Sequence, residues 1–298
     1  MTIHITRRSL LAGMAATVCL PAAGAHSAAP TTLTLTLTAA DGRQIPVNAW
    51  PAHAPHRGVI FFSHGALSAP RYYDALIQPA AAAGYDVYAP LHVDSAEHPL
   101  TSRYPGLASW KARLEDMRAL AAHLGEQPYV AMGHSYGALV ALTLGGAAAV
   151  RPEGYAGPMH DPRVKAVVAF SPPAPVPALI EARGYGTLVT PALIQTGTRD
   201  ILPGMENNPD AWRGHLAAYD NAAGGGNRYA LVLEGVDHYF GGAICRLDLP
   251  GPRQNDQLAR ATAMAALFLK AFGSGDEAAR QELDRQLAAT GPVQLRVK

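Results

Sequence analysis

From Gly58 onward the sequence alternates short apolar runs with longer helix-compatible stretches, and this alternation restricts the fold more than any other feature. Gly58 to Ser63 (Gly-Val-Ile-Phe-Phe-Ser) reads as a fully apolar strand, Arg71 to Ala83 as a helix, Tyr85 to Ala89 as a strand and Ser109 to Leu124 as a helix. Tyr129 to Met132, Val164 to Phe170, Ala192 to Thr196 and Tyr229 to Leu233 supply further strands, with helical stretches at Ala138 to Ala149 and around Ala211 to Tyr219. Strands without a polar face must be covered on both sides, which implies a mostly parallel sheet with helices on both faces.

Ahead of this region, Thr31 to Thr38 alternates Leu and Thr with period two, and Asp41-Gly42 turns the chain into a second strand around Ile45 to Trp50. That pattern is an antiparallel N-terminal hairpin. The expectation is therefore an α/β fold with about eight strands. Leu258 to Phe272 has the apolar content of a covering helix, and Ser274 with Glu277 has capping-box spacing for a final polar helix through about Ala288.

A chain of 298 residues, 49% hydrophobic and 16% charged, can bury a sizeable core, so residues 31–298 are read as one domain. The net charge of +1, from scattered basic and acidic residues, gives no footprint for nucleic acid or an anionic membrane. Residues 1–25 read as an export signal: Arg7-Arg8, an apolar stretch from Leu10 to Leu20, and Ala23-Gly24-Ala25 as a small-residue cleavage site. The paired arginines resemble a twin-arginine (Tat) signal, which implies a periplasmic or secreted protein without a stable membrane anchor. The apolar stretch is short for a span, and Cys19 lacks the preceding small residue of a lipoprotein signal. Removing the segment leaves Cys245 alone, which cannot form an internal disulfide and is given no chemistry.

Gly133-His134-Ser135-Tyr136-Gly137 is a G-x-S-x-G pentapeptide set between an apolar strand and a small-residue helix. A strained strand-to-helix turn at that point lifts a serine hydroxyl out of the backbone, and the close approach of neighbouring chain explains both glycines. Serine at neutral pH needs a general base and a third group to orient it. Asp200 follows one strand through Thr196-Gly197-Thr198-Arg199, and His238 follows the last parallel strand through Glu234-Gly235-Val236-Asp237. Both would lie at the carboxyl edge of the sheet with Ser135. Asp237 competes for the acid role but points away from its neighbour on the same loop; Glu206 and Asp210 are lesser candidates.

With Ser135, Asp200 and His238 in that order, the chain resembles the α/β-hydrolases from Thr31 to about Gly273. Ser135 sets it apart from dienelactone-hydrolase-like proteins with a cysteine nucleophile and from haloalkane dehalogenases with an aspartate. The resemblance implies an oxyanion hole made by the amide of Tyr136 and by the loop Ser63-His64-Gly65-Ala66, with Ala66, or secondarily Leu67, as second donor. This loop departs from the HGGG pattern of some lipases and esterases. The segment between Phe170 and Ala192 is too short for a large cap domain, and its run Pro172 to Pro177 reads as a rigid connection.

The function expected is ester hydrolysis through an acyl-enzyme, with Ser135 as nucleophile, His238 as base and acid, and Asp200 as orienter. A small-molecule ester is the expected partner, with no cofactor and no metal, since acyl transfer has no redox step. A serine peptidase, thioesterase or acyltransferase would use the same residues, and a non-catalytic binding protein predicts loss of one of them. Leu67, Tyr72, Trp212 and Tyr239 are the expected substrate contacts, with Tyr73 and Phe240 nearby. His92, Asp94 and His98 match no zinc spacing and read as a polar loop near the site.

Overall fold

The computed structural model describes residues 33–53 and 55–298; the export-signal reading of residues 1–25 lies outside them. Among the described residues, nine strands form one sheet in the order β1-β2-β4-β3-β5-β6-β7-β8-β9. They are β1 (Leu33–Thr38), β2 (Gln44–Trp50), β3 (Gly58–Ser63), β4 (Tyr85–Pro90), β5 (Tyr129–His134), β6 (Val164–Phe170), β7 (Ala192–Arg199), β8 (Arg228–Asp237) and β9 (Val293–Val297). The pairs from β4 through β3, β5, β6, β7 and β8 are parallel. The hairpin β1–β2 and its junction to β4 are antiparallel, as expected from the Leu-Thr alternation.

The helices are α1 (Asp74–Ala82), α2 (Trp110–His123), α3 (Tyr136–Leu144), α4 (Ala182–Tyr185), α5 (Ala217–Asn221), α6 (Asn255–Phe268) and α7 (Glu277–Arg285). Successive residues of a strand serve opposite faces. In β5, Tyr129 and Ala131 pack with Leu114, Met117 and Leu120 of α2 and with α3, whereas Val130 and Met132 pack with Leu76 and Ile77 of α1 and Phe268 of α6. This two-sided burial is why the parallel strands are apolar throughout. Every residue of α3 is buried, which accounts for a helix that lacks a polar face.

Four details differ from expectation. α3 ends at Leu144, five residues short of Ala149. A ninth strand, β9, pairs antiparallel with β8, and only its Leu295 is fully buried, so its sequence Val-Gln-Leu-Arg-Val carries a weak pattern. The last helix is capped by Asp276, whose carboxylate accepts from Ala279 N–H at 3.0 Å, because the Ser274 hydroxyl is already donated to the Lys270 carbonyl at 3.0 Å. That helix ends at Arg285, short of Ala288. Among the described residues no helix is long and apolar enough to cross a membrane.

Candidate active site

Ser135 sits between β5 and α3 with φ 55° and ψ −121°, a backbone region that costs a non-glycine residue about 1–3 kcal/mol. The flanking glycines are enforced by contact: a Cβ at Gly133 would overlap the Gly137 carbonyl, and one at Gly137 would overlap the Ser63 carbonyl on β3. The turn is held by Ser135 N–H donating to the Phe170 carbonyl at 2.9 Å. Ser135 is half-buried, and Tyr136 begins α3, so its amide has no partner within the helix.

Asp200 follows β7 and His238 follows β8, both at the carboxyl edge. His238 Nδ1 meets Asp200 Oδ1 at 2.6 Å, and both side chains are almost fully buried. Burial pushes the Asp200 carboxyl up, but His238 and His215 beside it hold it well below the usual carboxylate range. Thr196 Oγ1 donates to Oδ2 at 2.8 Å, so both carboxylate oxygens are engaged. The His238 ring lies 4.8 Å from that of His134, the residue before Ser135. Asp237 instead accepts from Tyr239 and Gly241 N–H, each at 2.9 Å, and fixes the turn after His238. Glu206 and Asp210 engage the Gly204 amide and Arg213 on the surface.

The loop Ser63-His64-Gly65-Ala66 is clamped by one arginine. Arg113 of α2, fully buried, donates to the His64 carbonyl at 2.7 Å and the Gly65 carbonyl at 3.2 Å, and forks onto both Asp94 oxygens at 2.8 Å. Its guanidinium also lies 4.5 Å over the Tyr136 ring, tying the two halves of the expected oxyanion hole to one side chain. Burial opposes ionisation of Asp94, but Arg113 outweighs it and holds the carboxyl far below its usual range. Leu67 N–H points at Asp94 Oδ2 at 3.4 Å, which leaves Ala66 the better placed of the two loop amides. His92 and Asp94 thus belong to a buried polar network behind the loop.

His134 links this loop to His238. Its Nε2 donates to the His238 carbonyl at 2.9 Å, so its Nδ1 accepts from Tyr73 Oη at 3.0 Å, and Tyr73 Oη accepts from Gly65 N–H at 2.9 Å. Burial, with His238 nearby, pushes His134 down to about 3, in keeping with this neutral tautomer. Leu67 is two-thirds exposed, and Tyr239 stands edge-on to His238 at 4.9 Å. Tyr72 lies under Arg71 at the surface, while Trp212 packs in the cluster with Leu216 and Ile180. Cys245 is buried behind Gly65, and its thiol is pushed up by burial.

A second serine–histidine–aspartate array lies at Ser63, His92 and Asp116, with contacts of 2.9 and 2.8 Å. All three are fully buried, and Ser63 Oγ also takes a bond from Arg113 at 3.3 Å, so no acyl group can reach it. Accessibility and backbone strain separate Ser135 from this structural counterpart. Asp200, His215 and His238 bring ligand-type atoms within 4.8 Å of one another, but both ring nitrogens turned to Asp200 make hydrogen bonds to it. A cavity of about 550 Å³ lined by Asp41, Lys111, Glu115, Arg118 and Tyr155 contains none of these groups.

A family model described as the alpha/beta hydrolase family matches residues 59–297. No curated protein sequence matches the chain. Among solved structures, the esterase domain of a Rhodothermus marinus protein aligns at TM-score 0.55 and 14% identity, covering 81% of this chain and 99% of that one. A thioesterase domain from the curacin biosynthetic pathway aligns at 0.51 and 15%, covering 80% and 99%. A Mycobacterium tuberculosis puromycin-hydrolyzing peptidase aligns at 0.54 and 16%, covering 81% of this chain and 40% of its own.

Proposed function

Because the chain belongs to the alpha/beta-hydrolase family, we propose that it is a serine hydrolase that cleaves carboxylic esters, exported by its first 25 residues. The observation that carries the reading is the 2.6 Å bond from His238 Nδ1 to Asp200, at the sheet edge that also holds the strained Ser135 elbow. With Nδ1–H held by the carboxylate, His238 Nε2 is the basic nitrogen. It takes the Ser135 proton as Oγ attacks the acyl carbon, and returns it to the leaving alcohol.

The Tyr136 and Ala66 amides receive the developing oxyanion, a contribution of about 3–4 kcal/mol per donor in such sites. Water, deprotonated by the same imidazole, then releases the acyl group. The array would also serve a peptide or a thioester. Esters are preferred because esterases recur among the structures of like fold.

The test is hydrolysis of p-nitrophenyl esters from acetate to palmitate by the mature protein beside Ser135→Ala, His238→Ala and Asp200→Asn. Activity is expected to vanish in the first two and to fall about 10⁴-fold in the third. Undiminished turnover in Ser135→Ala would remove the proposal.

A further inference from the structure

His215 lies in the short 3₁₀ helix Ala211–Leu216 and is 4% exposed. Its Nδ1 is 2.6 Å from the Pro172 carbonyl, and its Nε2 is 3.1 Å from both the Asp200 carbonyl and Asp200 Oδ1. Each of these partners can only accept. A neutral imidazole has one N–H, so either neutral tautomer would turn a lone pair on an oxygen at close range in a buried site. Only the doubly protonated ring satisfies all three contacts.

We infer that His215 is an imidazolium that positions Asp200 for His238 and extends the enzyme's activity to lower pH. The inference rests on the serine-hydrolase reading above. The charged His215 ring then holds the Asp200 carbonyl by a hydrogen bond and sits 3.1 Å from Oδ1, which also meets His238 Nδ1, while the Thr196 hydroxyl donates to Oδ2, so the carboxylate is held toward His238 from both sides. The groups facing His215 from neighbouring elements are Asp200 after β7, the Pro172 carbonyl after β6, and the His238 ring at 5.6 Å after β8. Arg213, on its own helix, is turned outward to Asp210. His238 in turn faces Asp200, His215, the His134 ring and the Tyr239 edge.

Burial opposes charge on His215, but the Asp200 carboxylate and the Pro172 and Asp200 carbonyls outweigh it and raise its proton affinity above that of an ordinary imidazole. The cation partly cancels the field of Asp200 and opposes a second positive charge on His238. His238 must be neutral to accept the serine proton. Two charges about 5–6 Å apart in a protein interior interact strongly enough to move a titration by about one pH unit or more.

Two measurements decide the matter. In the wild-type protein at pH 7, ¹⁵N-detected histidine spectra should show both His215 ring nitrogens protonated, a result that needs no substrate. A neutral His215 there overturns the inference whether or not esters are cleaved. In His215→Gln, the acid limb of kcat/KM against pH should move up by about one pH unit. A uniform loss of rate with an unmoved limb would make His215 merely structural and overturn its effect on pH. Absence of ester turnover in the wild type, beside a charged His215, would instead count against the proposed function.

Discussion

Ser135 shows how one residue can be fitted to chemistry at the expense of stability. Its φ of 55° and ψ of −121° suit glycine, yet the proposed reaction needs a hydroxyl there. Ser135→Ala keeps the strain and Ser135→Gly releases it. The glycine variant is therefore expected to be more stable than the alanine variant by about 1 kcal/mol, after the larger chain entropy of unfolded glycine is subtracted. Chemical denaturation of the two variants checks this, and an equal or lower stability for Ser135→Gly would show that the elbow is unstrained. The elbow was legible in the sequence because its steric demand falls on Gly133 and Gly137, within two residues of Ser135. His215 was not, because its partners at Asp200 and Pro172 are 15 and 43 residues away and its helix carries no pattern.

At the scale of elements, the parallel strands placed the site. A fully apolar run must be a covered strand, and the carboxyl ends of β5, β7 and β8 are where Ser135, Asp200 and His238 emerge. What joins those ends could not be read, since Arg113, His134 and Tyr73 find their partners only after α2, β5 and α1 have docked. Arg113 spans the gap between α2, the oxyanion loop, Asp94 and the ring of Tyr136. Arg113→Lys keeps a charge but loses the fork onto two carbonyls and a carboxylate. It is expected to lower kcat about 10–100-fold with little change in KM, because small displacements of the oxyanion amides act on the transition state. Steady-state kinetics would show it, and combining it with Asp94→Asn should cost less than the two single effects together, because both act through one contact. Full additivity would mean that the clamp does not act as a unit.

Over the whole molecule, the buried imidazoles govern how stability depends on pH. His64, His92 and His134 are fully buried. Burial, aided by Arg113 at His64 and His92 and by His238 at His134, keeps all three neutral at pH values where an unfolded histidine is charged. Below about pH 6.5 the unfolded chain therefore binds more protons than the folded one, and stability falls as pH falls, by about 1.4 kcal/mol per pH unit for each group once the unfolded histidines are charged. Asp116 acts in the opposite sense. Burial outweighs Arg43 and pushes its carboxyl up to about 6, so between about pH 6 and 4 the folded state holds a proton that the unfolded state has lost. The balance leaves about two protons, or about 3 kcal/mol per pH unit between about pH 5.5 and 4.5. Below about pH 4 the depressed carboxyls of Asp94 and Asp200 add to the loss, since their stabilisation is fully present above the unfolded value and is lost progressively as pH falls from there through their lowered folded values. By pH 4.5 the net loss is about 5–6 kcal/mol, a large share of the about 5–15 kcal/mol that holds an ordinary domain together. Urea unfolding at pH 7, 5.5 and 4.5 is expected to show this slope, and His92→Asn to reduce it by about one proton. A midpoint that stays flat to pH 4.5 would mean that these rings are charged in the folded protein, against the neutral His134 that its contacts require.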